Sequence, residues 1–191
     1  MNSVLIFAIM NNEFELNFQP EYELINGELK LIGAEALLRL TIEQEFDTGN
    51  FIEFAEENGY IKDIGEHIIK NGFKALEKWG NIKEAEKLKL SVNISPMQIK
   101  EKNFIRTVEE ALEKFNVSRE NIIFEIKNTE FKKDEEQEYM KKIESLREKG
   151  FKNICLDGFG RDLSSFESIL KYAPMKIKID RLFKNIKLDS L

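Results

Sequence analysis

The chain has 191 residues, a formal net charge of −6, 42% hydrophobic residues and 34% charged residues. That profile belongs to a soluble globular domain with one sizeable core, and the length is short for two. The acidic balance excludes a broad surface for a nucleic-acid polymer or an anionic membrane, while a small anionic ligand stays compatible, because a local site can be positive or carry a metal.

The opening MNSVLIFAIM is apolar but too short to span a bilayer, and no basic region precedes it, so it is neither a spanning helix nor a signal peptide. Residues 14–24 and 29–40 are rich in strand formers and flank Asn26-Gly27, a pair that tolerates positive φ at both positions, so an antiparallel hairpin is predicted. Residues 51–58 and 60–79 show helical spacing, with Gly59 between them as a C-cap. Strands are then predicted over 88–94, 121–127, 152–157 and 175–180. Helices are predicted over 103–116, 132–149 (closed by Gly150) and 163–172. Strand–helix units on short loops give a mostly parallel sheet covered by helices. A closed barrel of this type needs about 250 residues and eight strands. Six strands are predicted before the sequence stops. With only three prolines, no Pro/Gly/Ser-rich linker and no repeat, residues 1–191 read as a single domain. Cys155 is the only cysteine, so no intramolecular disulfide forms; that suits a reducing compartment, and a cytoplasmic location is expected.

Polar residues recur at or near the C-terminal ends of the strands: Glu35 in the second, Asn93 in the third, Glu125 in the fourth, Asp157 in the fifth, and Lys178 with Asp180 in the sixth. In a parallel barrel those ends converge on one face. Acidic residues inside apolar strands are costly unless their charge is compensated, and a bound cation would compensate it. The set is all oxygen, without Cys155 and with His67 elsewhere, which selects Mg²⁺, Mn²⁺ or Ca²⁺ over zinc. The same pattern also fits acidic residues solvated at a barrel rim, and it fits Lys178 as the ion-pair partner of Glu125 or Asp157 in a metal-free site. His67, Trp79 and Cys155 read as packing residues, Asp180 as a structural ion pair or loop contact, and 131–138 as a solvated helix start.

The motifs separate these readings. Gly33-Ala34-Glu35-Ala36-Leu37-Leu38-Arg39 resembles the sequence that names the EAL family. Phe18-Gln19-Pro20, Phe51 to Gly59 with Ile64-Gly65, Ser91-Val92-Asn93-Ile94-Ser95, Phe124-Glu125-Ile126, Leu156-Asp157-Gly158-Phe159-Gly160 and Lys178-Ile179-Asp180 resemble further family motifs, in the family's order. The resemblance implies a TIM-like (β/α)₈ barrel with its first strand antiparallel. It also implies hydrolysis of cyclic di-GMP to pGpG with two divalent cations, which polarise phosphoryl oxygens and lower the pKa of a bridging water. Carried over by position, Glu35, Asn93, Glu125 and Asp157 hold the first metal, Lys178 stands near the nucleophilic water, and Glu35 and Asp157 belong to the catalytic set. Gln19 and Arg39 contact the nucleotide, Arg39 through a planar fork of donors matched to phosphate oxygens.

The sequence departs from the family at several points. The paired aspartates are here Asp157-Gly158, and Gly supplies no ligand. The second Glu of the fourth-strand motif is Asn128, with Glu130 two residues on. Arg161 and Asp162 replace a small hydroxyl residue and a glycine in the loop that follows. The chain stops about ten residues after Asp180, before the seventh strand, with its metal-binding Glu, and the eighth, with its Gln; the later acids are Asp189 and the terminal carboxylate. The expectation is an incomplete EAL barrel of about six strands, without turnover, that binds cyclic di-GMP or acts as a regulatory module. It takes at most one divalent cation, Mg²⁺ or Mn²⁺, with Ca²⁺ as an inhibitory binder. A homodimer is expected to bury the open side of the barrel, where the strands at 14–24 and 175–180 lack a neighbour, unless segments 1–10 or 181–191 cover it. The alternatives are an active phosphodiesterase within a longer or complemented protein and an interaction scaffold without nucleotide affinity.

Overall fold

The computed structural model describes residues 2–42, 48–127, 133–160 and 165–180. In chain order the elements are α1 (Asn2–Met10), β1 (Phe14–Ile25), β2 (Glu28–Leu40), α2 (Thr48–Glu57), α3 (Ile61–Gly80), β3 (Lys89–Ile94), α4 (Pro96–Lys100), α5 (Phe104–Phe115), a 3₁₀ turn (Arg119–Asn121), β4 (Ile122–Lys127), α6 (Lys133–Glu148), β5 (Ile154–Phe159), α7 (Ser165–Tyr172) and β6 (Lys176–Ile179). The six strands form one sheet in sequence order. β1 and β2 pair antiparallel, and every later pair is parallel. The sheet curls into a TIM-like half-barrel, so that a side chain of β6 reaches one of β1 across the interior.

The alternation of each strand decides what faces where. Leu90, Val92 and Ile94 of β3, Ile122, Phe124 and Ile126 of β4, and Ile154 and Leu156 of β5 are buried in the core cluster. They pack outward against helix residues at helical spacing, such as Ile69, Phe73 and Leu76 of α3, Val108 and Leu112 of α5, and Tyr139 and Ile143 of α6. Full burial of each such side chain contributes about 1.5–3 kcal/mol. The intervening residues of the same strands, among them Glu35, Ser91, Asn93 and Glu125, therefore point into the half-barrel. A close approach fixes one helix: a Cβ on Gly65 of α3 would lie 2.1 Å from Nε2 of the buried Gln98 on α4.

The hairpin turns at Asn26 (φ 51°) and Gly27 (φ 87°), as its sequence requires. Its ladder runs from Phe14↔Leu40 to Ile25↔Glu28, yet β2 meets β3 only over Gly33–Ala36. Tyr22, Leu24, Leu29 and Leu31 are consequently exposed on a ribbon that extends past the sheet.

Two elements differ from expectation. The opening segment is a helix, α1, with Leu5, Ala8 and Ile9 buried. α4 lies between β3 and α5, opened by Ser95, whose Oγ accepts from Met97 N at 3.2 Å, and by Pro96 at the first helical position. The positions of Asn128, Glu130, Arg161, Asp162 and 181–191, and the start of the charged run 131–138, lie outside the described residues.

A candidate ligand site at the strand C-termini

The inward-facing polar residues stack in two layers. The upper layer lies at the C-terminal ends of the strands and centres on Lys178. Its ammonium donates to Glu35 Oε2 at 2.7 Å and lies 2.5 Å from Glu125 Oε1. Glu35 Oε1 accepts from Asn93 Nδ2 at 2.7 Å, and Asn93 stands opposite Glu125 in the β3–β4 register. The lower layer is built on Glu21. It accepts from Lys176 Nζ at 2.6 Å and from Ser91 Oγ at 2.9 Å, and its Oε1 lies 3.7 Å from Lys178 Nζ.

Burial pushes the Glu125 carboxyl up to about 7; the hydrogen bond and charge of Lys178 oppose this, and the charges of Glu35 and Glu21 reinforce it. Its Oε2 has no hydrogen-bond partner among the described residues. Burial alone would lower Lys178, but its contacts with Glu125 and Glu35 outweigh that and hold it above the ordinary lysine range. Burial would raise Glu21, yet hydrogen bonds from Lys176 and Ser91, with both lysine charges, hold its carboxyl below the usual value.

The structure thus brings Glu35, Asn93, Glu125 and Lys178 into one contact set. Asp157 stands on the neighbouring strand, opposite Lys127, with Oδ1 accepting from Gly158 N at 2.9 Å. The β5–β6 register is irregular between Leu156 and Phe159, which puts Asp157-Gly158 at a bulge. Gly158 has φ +75° and open space where a Cβ would stand. Arg39 and Glu35 line a cavity of about 300 Å³ with Asn93, Lys127, Ser95 and Glu56; Arg39 Nη1 donates to Leu38 O at 2.7 Å. The cavity wall is clipped by Ser95 Oγ donating to Glu56 Oε1 at 2.5 Å, which joins the end of β3 to α2. Gln19 is exposed and pairs with Glu35 across the β1–β2 ladder.

The buried Glu125 oxygen, without a hydrogen-bond partner among the described residues, and the all-oxygen set of Glu35, Asn93, Glu125 and Asp157 fit a hard cation. Among the described residues, no three His, Cys, Asp or Glu side chains stand together as a metal-holding group. The ammonium of Lys178 occupies the space between Glu35 and Glu125.

Glu21 and Lys176 lie outside the motifs, and Ser91 lies in one without a predicted role, although each is two residues from a predicted site residue (Gln19, Lys178 and Asn93) and so shares its face in a strand. His67 packs edge-on against Phe14, with ring centroids 4.6 Å apart, and Trp79 packs against Phe18 at 5.3 Å. Cys155 is fully buried, and burial pushes its thiol up to about 12. Asp180 is buried, and its N–H donates to Phe159 O at 2.9 Å. No helix among the described residues is long and apolar enough to cross a membrane.

The signaling protein YkoW of Bacillus subtilis is 33% identical over 183 residues, which are 94% of this chain and 22% of YkoW. The probable cyclic di-GMP phosphodiesterase PdeI of Escherichia coli is 29% identical over 182 residues, 92% of this chain and 22% of PdeI. The chain therefore spans about a fifth of the length of these curated relatives. Among solved structures, the PaMucR phosphodiesterase in complex with c-di-GMP superposes with a TM-score of 0.81 at 26% identity, covering 95% of this chain and 74% of that one. The FimX EAL domain, with a TM-score of 0.76 at 24% identity over 96% of this chain and 73% of that one, shares the fold. The family model for the EAL domain matches residues 5–189. Its motifs, its half-barrel and these matches agree: the chain belongs to the EAL domain family, related to cyclic di-GMP phosphodiesterases.

Proposed function

We propose that residues 1–191 act as one EAL module that binds cyclic di-GMP, takes a single divalent cation and does not hydrolyse the dinucleotide on its own. The observation that carries this reading is the convergence of Glu35, Asn93 and Glu125 on Lys178, beside the cavity that Arg39 lines. Glu35, Asn93, Glu125 and Asp157 would hold Mg²⁺ or Mn²⁺, with Ca²⁺ as the non-productive substitute. A bound cation supplies Lewis-acid polarisation of a phosphoryl oxygen and a more acidic water. Arg39 offers phosphate a planar fork once it leaves Leu38 O, and Gln19 offers an amide to the nucleotide. Lys178 holds positive charge beside the site, where a phosphate would stand.

Gly158 supports the absence of turnover. Where the family has a second aspartate to complete a second metal, the bulge here carries no side chain. The exposed Ile177 and Ile179 of β6 and Phe166 and Leu170 of α7 support a homodimer that buries this edge, and sedimentation at micromolar concentration reads it directly.

The test of function is calorimetric titration of the chain with cyclic di-GMP in Ca²⁺, followed by chromatography after incubation with Mn²⁺. Binding with one cation per chain and no pGpG is expected. Formation of pGpG that Glu35→Ala abolishes would instead establish an active phosphodiesterase.

A further inference from the structure

We propose that Glu21 is a positioning residue for the cation site: it is the carboxylate that receives the Lys178 ammonium when a divalent cation takes Glu35 and Glu125. The inference rests on the assignment of Glu35 and Glu125 as cation ligands and goes beyond it, because Glu21 lies in the lower layer and belongs to none of the motifs.

Lys178 Nζ lies 2.7 Å from Glu35 Oε2 and 2.5 Å from Glu125 Oε1. A divalent cation coordinates carboxylate oxygens at roughly 2.0–2.6 Å, so it competes for the space that the ammonium fills and repels it. A lysine stem is flexible, and its head needs a new acceptor inside the half-barrel. Glu21 Oε1 is already 3.7 Å away, with Lys178 half-buried beneath the strand ends. Asp157 is less suited, since its Oδ1 accepts from Gly158 N.

Lys176 is the rival. Its Nζ is 2.6 Å from the same Glu21 oxygen, so each lysine limits the other's hold on it. Ser91 fixes the second Glu21 oxygen from β3 and keeps the carboxylate under the site. The arrangement makes opposite predictions for the two partners of one ion pair. Loss of Glu21 leaves Lys178 on Glu35 and Glu125 and weakens the cation. Loss of Lys176 frees Glu21 for Lys178 and tightens it. A merely structural pair would give the same sign for both.

The test is Mn²⁺ titration of the full chain by calorimetry at neutral pH, with folding checked by circular dichroism. Glu21→Gln should weaken Mn²⁺ about fivefold and Lys176→Gln should tighten it about twofold, the range of a partly exposed ion pair. Both effects should vanish in a Lys178→Met background, or in Lys178→Gln where the Met variant does not fold. Should Glu21→Gln not fold, the Lys176→Gln arm decides alone: no tightening with Lys178 present overturns the proposal. Equal effects with and without Lys178 would show that Glu21 and Lys176 act through their fields only, and would overturn the proposal while leaving the cation site standing. No Mn²⁺ binding to the unaltered chain would overturn the cation site, and the role of Glu21 with it.

Discussion

The two layers inside the half-barrel are made of the same chemistry and behave differently. In the lower layer Glu21 has a lysine on one oxygen and a serine hydroxyl on the other, and its carboxyl is held below the usual value. In the upper layer Glu125 is more deeply buried, has an oxygen without a hydrogen bond among the described residues and shares one ammonium with Glu35, and its carboxyl is pushed up to about 7. Satisfying both oxygens makes a structural strut, whereas an open oxygen leaves room for a ligand to bind.

The largest expected contrast is in pH dependence. A carboxyl whose folded pKa is raised takes up a proton more readily folded than unfolded. For Glu125, between its ordinary 4.5 and about 7, this stabilises the chain at low pH, and the stabilisation is lost as pH rises through that window. The groups that face it are Lys178, Glu35 and Glu21. Denaturant unfolding of the cation-free chain should show a loss of roughly 3 kcal/mol from this group across the window, and Glu125→Gln should remove it. Glu21 contributes with the opposite sign, losing stability as pH falls below the usual carboxylate range. An unchanged profile in Glu125→Gln would contradict the assignment of the open oxygen.

Lys178→Met should destabilise the cation-free chain by about 2 kcal/mol above neutral pH. Breaking a buried pair costs more where the partner must stay charged, but a carboxyl already near neutrality escapes by taking a proton. The same variant should make the pH profile steeper, which unfolding at two pH values reads. Glu21→Gln should cost about 1 kcal/mol by thermal or urea unfolding, since it keeps the shape and leaves Lys176 able to reach water. The smallest effect is expected at the bulge. Gly158→Asp meets open space but a φ of +75°, which Asp tolerates better than most residues, so stability should shift by less than about 1 kcal/mol. The variant should still yield no pGpG by chromatography, because a single carboxylate does not assemble a second metal site.

Much of the upper layer was legible because its residues sit inside motifs, and period-two alternation says which of them share a face. Asn26-Gly27 gave the hairpin through its turn chemistry, and the strand–helix alternation gave the parallel order. α1 is not legible as a helix because its apolar residues have no helical period, and α4 because five residues show no pattern. The lower layer was hidden for a different reason. Lys176 and Glu21 are ordinary surface-type residues in isolation, and only the curl of the sheet brings β6 over β1. Nor does the sequence say that Arg39 rests on Leu38 O or that Asp157 turns to Gly158, since both are outcomes of local backbone geometry.

The bond between Glu21 and Lys176 also has a kinetic consequence. Its partners are 155 residues apart, the longest separation among the described side-chain hydrogen bonds. Closing that span is entropically expensive before the parallel strands between them have paired, so the bond is expected to form late, after the folding nucleus. Interactions absent from the transition state act on the unfolding rate and leave the folding rate nearly untouched. The lower strut is therefore a latch on the native half-barrel: it slows departure from the native state and plays little part in finding it.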